Sequence, residues 1–234
     1  MTQTQMNNKI DCSGLTPDEI NYQVKNLIFN GFKYIILRNL YGKHPLLEGL
    51  KGNVKLEILG NVSSGFANWI NGPKITVVGD VGSNSACNVY NGKFTVFGNC
   101  DNNFGNNVKE GEFYIFRSCG KNSFSNLTSA SKVVVGGQVS NGFAANSYGG
   151  AVAILNLGGG SVFIEDDWFR DSQNIFVYIR SSKEQIKASE RFVVEETNNS
   201  DEDVYLPLIS EFARLFSFSL SEIKSEKFYK VSLK

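Results

Sequence analysis

The chain has 234 residues, 41% of them hydrophobic, with 23 Lys and Arg against 23 Asp and Glu. That length suits one main domain with small appendages. A balanced charge and a pI near 6.6 exclude nucleic-acid binding through rows of phosphate contacts. The first residues, Met1–Lys9, are polar with no apolar signal core, and no run approaches the roughly 18 apolar residues of a membrane helix, so a cytoplasmic protein without a membrane contact is expected. The first element is a helix. Thr16-Pro17-Asp18-Glu19 is a capping box with Pro at the first helical position, Ile20, Val24, Leu27 and Ile28 follow a helical period, and Gly31 stops it. Tyr34–Leu40 then reads as a strand entering a stack.

From Gly52 onward the sequence repeats itself. Segments begin at Gly52, Gly72, Gly92, Gly111, Ser131 and Gly150, with steps of 20, 20, 19, 20 and 19 residues. Each opens with a β-prone run, from Asn53–Leu59 through to Ala151–Leu155. A step of 19 aligns Ile58, Val77, Val96, Ile115 and Val134, all β-branched. Two residues on stand Gly60, Gly79, Gly98, Arg117 and Gly136; two further stand Val62, Val81, Cys100 and Cys119, with Val139 one residue late. Ile70, Val89, Val108 and Leu127 make another apolar column, and Asn84, Asn103, Asn122 and Asn141 a polar one.

One short repeat cannot bury its own apolar face, but stacked copies bury a continuous core. The expected fold is therefore mainly β: a single-stranded right-handed β-helix of about six coils, roughly 25 to 30 Å long by the strand spacing. The Ile/Val and Val/Cys columns point inward. Gly60, Gly79, Gly82, Gly98, Gly105 and Gly136 are the expected corner glycines, supplying positive φ. Asparagine tolerates the same conformation and hydrogen-bonds along a stack. The open ends need covers against edge-to-edge association. Residues 1–50 supply a helix and strand at one end, 51–165 the β-helix, and 166–234 further strands, a linker and a helical cap. In that last part Ser161–Ile164 and Ile175–Arg180 read as strands, Val204–Phe216 as a helix with an apolar face, and Phe228–Val231 as a docked strand or a partner contact.

Chemistry is sparse. The cysteines show no CxxC spacing, and Cys100 and Cys119 replace valines in a core column, so they read as small buried residues rather than a thiol pair or metal site. His44 is the one histidine and has no partner in reach of the sequence. Asp166, Asp167 and Asp171 offer hard oxygen ligands but no EF-hand loop, and read as a solvated turn. Gly79-Asp80-Val81-Gly82 lacks the Lys-Ser/Thr ending of a phosphate loop and reads as a coil corner. Trp69, Phe163, Trp168 and Phe169 suit core or cap packing more than a partner surface. No catalytic, cofactor or metal residues are expected. An acidic ladder of the kind polysaccharide-acting β-helices carry is absent, as is the six-residue repeat of left-handed acyltransferase helices.

The order of these features resembles a known family. Ile10-Asp11-Cys12-Ser13-Gly14-Leu15-Thr16, Glu19-Ile20-Asn21, Gly31, Gly42-Lys43-His44, Gly49-Leu50-Lys51-Gly52, Ile58-Leu59-Gly60, Val78-Gly79-Asp80-Val81-Gly82, Val135-Gly136-Gly137 and Gly149-Gly150-Ala151-Val152 are similar to the GXGXG domain of the glutamate synthase large subunit in its free-standing form. A more distant likeness is to one of the subunits of formylmethanofuran dehydrogenase. The resemblance covers roughly residues 10 to 165, with the tail matching weakly; Arg117, Asn122 and Phe124 depart from it. It implies a non-catalytic scaffold protein whose partners are glutamine amidotransferase and flavin-dependent synthase chains, with no cofactor of its own and a homo-oligomer left open. The alternatives are a polymer-forming structural β-helix and a member of a formyl-transfer complex.

Overall fold

The structure, a computed structural model, describes residues 7–40 and 42–234. The polar start expected over Met1–Lys9 lies outside the described residues as far as Met6. The chain opens with a short strand, β1 (Lys9–Asp11), and the helix α1 (Pro17–Phe29). Thr16 Oγ1 accepts the Glu19 N–H, and the Glu19 carboxylate accepts the Thr16 N–H at 2.8 Å, so the capping box is made. Then follow β2 (Tyr34–Arg38), β3 (Lys55–Leu59), β4 (Asn71–Val78), β5 (Asn91–Val96), β6 (Glu110–Ile115), β7 (Ala130–Val135), β8 (Ala151–Ile154), β9 (Val162–Ile164) and β10 (Phe176–Arg180). Strands β2 to β8 pair in parallel in chain order, and β10 continues the series on β8. Eight coils stack this way, not six, and seven spacings make a length of roughly 34 Å. The stack overruns the expected 51–165 limits on both sides. End coils face one neighbour instead of two, so they need fewer of the small residues that mark the repeat.

The ladder aligns Ile58, Val77, Val96 and Ile115 as expected. It continues at Val135 and Ile154, which corrects the assignment of Val134 to this column. One extra residue enters near Ser129, where the Ser131 N–H turns back to the Thr128 carbonyl at 3.0 Å. A one-residue shift sends a side chain to the other face of its strand. Val134 therefore faces out, and it is buried there under the C-terminal helix. The second column holds: single bridges join Val62, Val81, Cys100 and Cys119, and all four are buried. Both cysteines are free thiols packed where valines would sit. Between these columns runs an aromatic ladder the repeat did not announce. Phe94, Phe104, Phe113, Phe124 and Phe143 pack with ring centroids 5.1 to 6.2 Å apart.

The corner glycines serve two purposes. Gly60 and Gly105 take positive φ, at 119° and 69°. Gly79, Gly82, Gly98 and Gly136 do not, which corrects the expectation for them. They are small because the preceding coil passes close by. A Cβ at Gly79 would lie 2.6 Å from the Gly60 oxygen, at Gly82 2.6 Å from the Ser64 nitrogen, and at Gly98 2.4 Å from the Gly79 oxygen. At Gly136 it would meet the Phe116 oxygen at 2.2 Å and the Phe212 ring at 2.9 Å. The left-handed positions fall instead on alternate residues of each coil, such as Asn84, Ala86 and Asn88, then Asn103, Gly105 and Asn107. Asn84, Asn103 and Asn122 fit the expected polar column, while the extra residue places Gly142 rather than Asn141 after them. The Asn103 amide donates to Asn84 Oδ1 at 2.9 Å and the Asn107 amide to Asn88 Oδ1 at 3.1 Å.

Both ends are covered. Helix α1 turns Ile20, Val24 and Leu27 into the same core as the inward columns. At the far end come β11 (Ile186–Ala188), which pairs with β9, then β12 (Phe192–Glu196), α2 (Asn199–Phe216), α3 (Leu220–Ile223) and β13 (Phe228–Leu233). Strand β13 runs antiparallel between β10 and β12, so the tail docks as a strand. Trp168, Phe169 and Phe192 close the interior below Phe143. Helix α2 starts earlier than expected because Asn198 caps it with Asp201 in a capping box. It covers a side of the stack: Tyr205, Leu208, Ile209 and Phe212 cluster with the outward-facing Tyr114, Val134, Ala153 and Tyr178.

Candidate interaction surfaces

The chemical candidates do not converge. His44 is exposed, as are Asp166 and Asp171. Among the described residues no three His, Cys, Asp or Glu side chains gather to hold a metal ion. In the Gly79–Gly82 corner, Asp80 Oδ1 accepts the Asn99 N–H at 2.7 Å, a contact between coils. Burial pushes the Cys12 thiol up to about 11 and raises those of Cys87 and Cys100, so none of these three is poised as a thiolate. Burial likewise raises Tyr178, to about 12, with the Asp201 carboxylate beside it.

What the surface does offer is exposed apolar area in separate places. On α1, Tyr22 and Phe29 face away from Ile20, Val24 and Leu27, and Phe29 is 89% exposed. The helical period already put them on that opposite face, a signal the sequence carried unread. At the far end, Phe163 of β9 is 60% exposed and Phe176 of β10 is partly exposed. Trp168 and Phe169 are buried as expected, whereas Phe163 and Trp69 are not. On the outer sheet, Leu59, Val78 and Phe97 leave an uncovered stripe on three successive coils, which runs under α2 where Phe97 meets Phe216 at 4.9 Å.

Two hollows open elsewhere on the stack. One of about 590 Å³ sits where α3 meets the stack, between Phe116, Arg117, Leu157, Arg180 and Phe218. The buried Arg180 guanidinium is spent on structure there. It donates to the Ile223 carbonyl at 2.7 Å, the Leu155 carbonyl at 3.3 Å and Ser225 Oγ at 3.1 Å. The other, of about 300 Å³, lies on a coil corner between Tyr90 and Tyr148. Comparison of the chain with family models, curated proteins and solved structures finds no match.

Proposed function

We propose that the chain is a non-catalytic scaffold that holds two protein partners at the two ends of its coil stack. The observation that carries this reading is exposed aromatic surface toward both ends of one rod, Tyr22 and Phe29 on α1 and Phe163 and Phe176 on the strands β9 and β10 of the last coil. Exposed aromatics of that kind are enriched at the centres of protein interfaces. The rod is stiff because each coil is hydrogen-bonded to two neighbours and its interior is close-packed. Bending it breaks inter-coil ladders and the α2 contacts that brace them. Covered ends weigh against a self-polymerising filament.

The resemblance of residues 10 to 165 to the GXGXG domain supplies the kind of assembly: a cytoplasmic, glutamate-synthase-like complex of glutaminase and flavin-dependent synthase chains. The scaffold's part would be geometric, fixing two active sites so that ammonia passes between them without escaping to solvent. Affinity purification from the native host with mass spectrometry tests this. Recovery of an amidotransferase and a flavin-dependent synthase is the expected result, with Phe29→Ser losing one and Phe163→Ser the other. Recovery of the chain alone, or as long self-polymers, sinks the proposal.

A further inference from the structure

One coil corner carries a column that the scaffold role does not use. Trp69, Asn88, Asn107, Asn126 and Asn146 occupy equivalent positions, with φ of 56°, 58°, 60°, 59° and 55°. The N–H groups of Trp69, Asn88, Asn107 and Asn126 bond to carbonyls of the following coil, so they climb the stack one strand spacing at a time. Two residues further along each coil stand Tyr90, Lys109, Thr128 and Tyr148. Tyr90 and Tyr148 are three coils apart, roughly 14 Å. They are 49% and 64% exposed and wall a groove floored by Asn107, Val108, Asn126 and Thr128. Trp69, 48% exposed, extends the aromatic surface one coil beyond Asn88.

The chemistry of this groove is specific. Its walls are the rings of Tyr148, whose face attracts flat C–H surfaces, and of Tyr90, which carries the Lys109 ammonium. Its floor is the Asn107 and Asn126 carboxamides around Val108, with the Thr128 hydroxyl donating to the Lys109 carbonyl and keeping its lone pairs to accept. Asn107 spends its amide on Asn88, so among the described residues the Asn107 oxygen is left to accept and the Asn88 amide to donate. Among the described residues the one charged side chain lining it, Lys109, holds its ammonium 4.8 Å above the Tyr90 ring. Among the described residues no carboxylate lines it. A nucleic-acid strand would call for a row of cations along its backbone, and a protein helix for an apolar trough. A ligand that is neutral, extended, apolar on its ring faces and hydroxylated at its edges fits the Tyr148 ring and the carboxamide floor. We propose that the groove between Tyr90 and Tyr148 binds a neutral linear oligosaccharide.

The proposal stands on a different face from the partner surfaces at the ends, and its test needs no partner. The full chain is titrated by calorimetry with linear hexasaccharides of β-1,4-glucose, α-1,4-glucose and β-1,4-N-acetylglucosamine, and with single-stranded oligouridylate at physiological salt. Saturable binding of at least one sugar is expected. Tyr148→Ala and Tyr90→Ala should each weaken it by about tenfold, the scale of one lost ring-stacking contact. Tyr148→Phe should retain it, since the ring face remains, and thermal melts should show all three variants folded. No binding of any sugar in the millimolar range overturns the proposal, as does binding that ignores both alanine variants. Binding of oligouridylate alone would make the groove a base-stacking platform and overturn it too.

Discussion

A single methyl group separates Gly105 from alanine, and the stack has no room for it. Gly105 sits at φ 69°, and a Cβ there would lie 2.5 Å from the Phe124 ring of the next coil. The left-handed backbone costs an L-residue about 1 to 2 kcal/mol, and overpacking adds about 1 to 3 kcal/mol. Gly65, at φ 74°, has the first cost without the second, since among the described residues nothing lies within 4 Å of its would-be Cβ. Urea unfolding should therefore rank Gly105→Ala well below Gly65→Ala, by about 2 kcal/mol. Equal losses would mean the ring moves aside freely and the aromatic ladder is loose. At this scale much was legible in the sequence. Like residues stack on like, so Val62, Val81, Cys100 and Cys119 declared their column. The glycines declared their positions but not their reasons. Crowding by a neighbouring coil at Gly98 and a positive φ at Gly60 leave the same letter in the chain.

Helix α2 tests the register of a whole strand. Val134 and Val135 are adjacent and both fully buried, but they face opposite sides of β7. Val134 packs beneath α2, and Val135 lies in the stack interior. An unpaired charge costs several kcal/mol at either site, with different casualties. Val134→Asp should release α2, raising amide exchange there while β3 to β6 stay protected. Val135→Asp should unfold the central coils. The reverse pattern would restore Val134 to the inward column. The same helix is pinned by charge. Arg214 grips Glu211 with two bonds of 2.7 Å, and Lys93 of β5 reaches the same carboxylate. Those contacts, Arg214 first, pull the Glu211 carboxyl down to about 2. A carboxyl lowered in the folded state stabilises above its unfolded value and loses that stabilisation as pH falls toward 2. Partly exposed as it is, the group contributes about 1 kcal/mol. Acid titration of stability should thus show a drop between pH 4.5 and 2 that Glu211→Gln makes smaller, the rest coming from other lowered carboxyls such as Asp201 and Glu19. The strands and the first helix were readable from alternation and from the Thr16–Glu19 cap. The extra residue near Ser129 was not, because a step of 20 differs from 19 by one polar residue in a turn. Strand β12 was not, because a short run ending in two glutamates looks like a surface loop until β13 pairs with it.

As a whole molecule the chain is close to a one-dimensional stack, in which each coil leans on its neighbours and α2 braces the later ones along one side. The candidate surfaces were hard to read for that reason. Column reading finds residues that repeat, whereas Tyr90, Lys109, Thr128 and Tyr148 share a column without sharing a chemistry. Surface positions are free to differ because nothing stacks against them. The same architecture governs how the molecule opens. Stability in such stacks falls toward the ends, where a coil has one neighbour. The buried thiols report this. Cys12 lies between β1 and α1 at the first end, fully buried, its N–H bonded to the Arg38 carbonyl at 2.9 Å. Cys100 and Cys119 lie in the middle coils. With the partly exposed Cys87 replaced by Ser, maleimide labelling in mild denaturant should modify Cys12 first, through fraying of the α1 end. Cys100 and Cys119 should follow together, with a steeper dependence on denaturant because more surface must open to reach them. A single common rate for all three would mean that the aromatic ladder binds the coils into one cooperative unit, with α1 part of it rather than a separable lid.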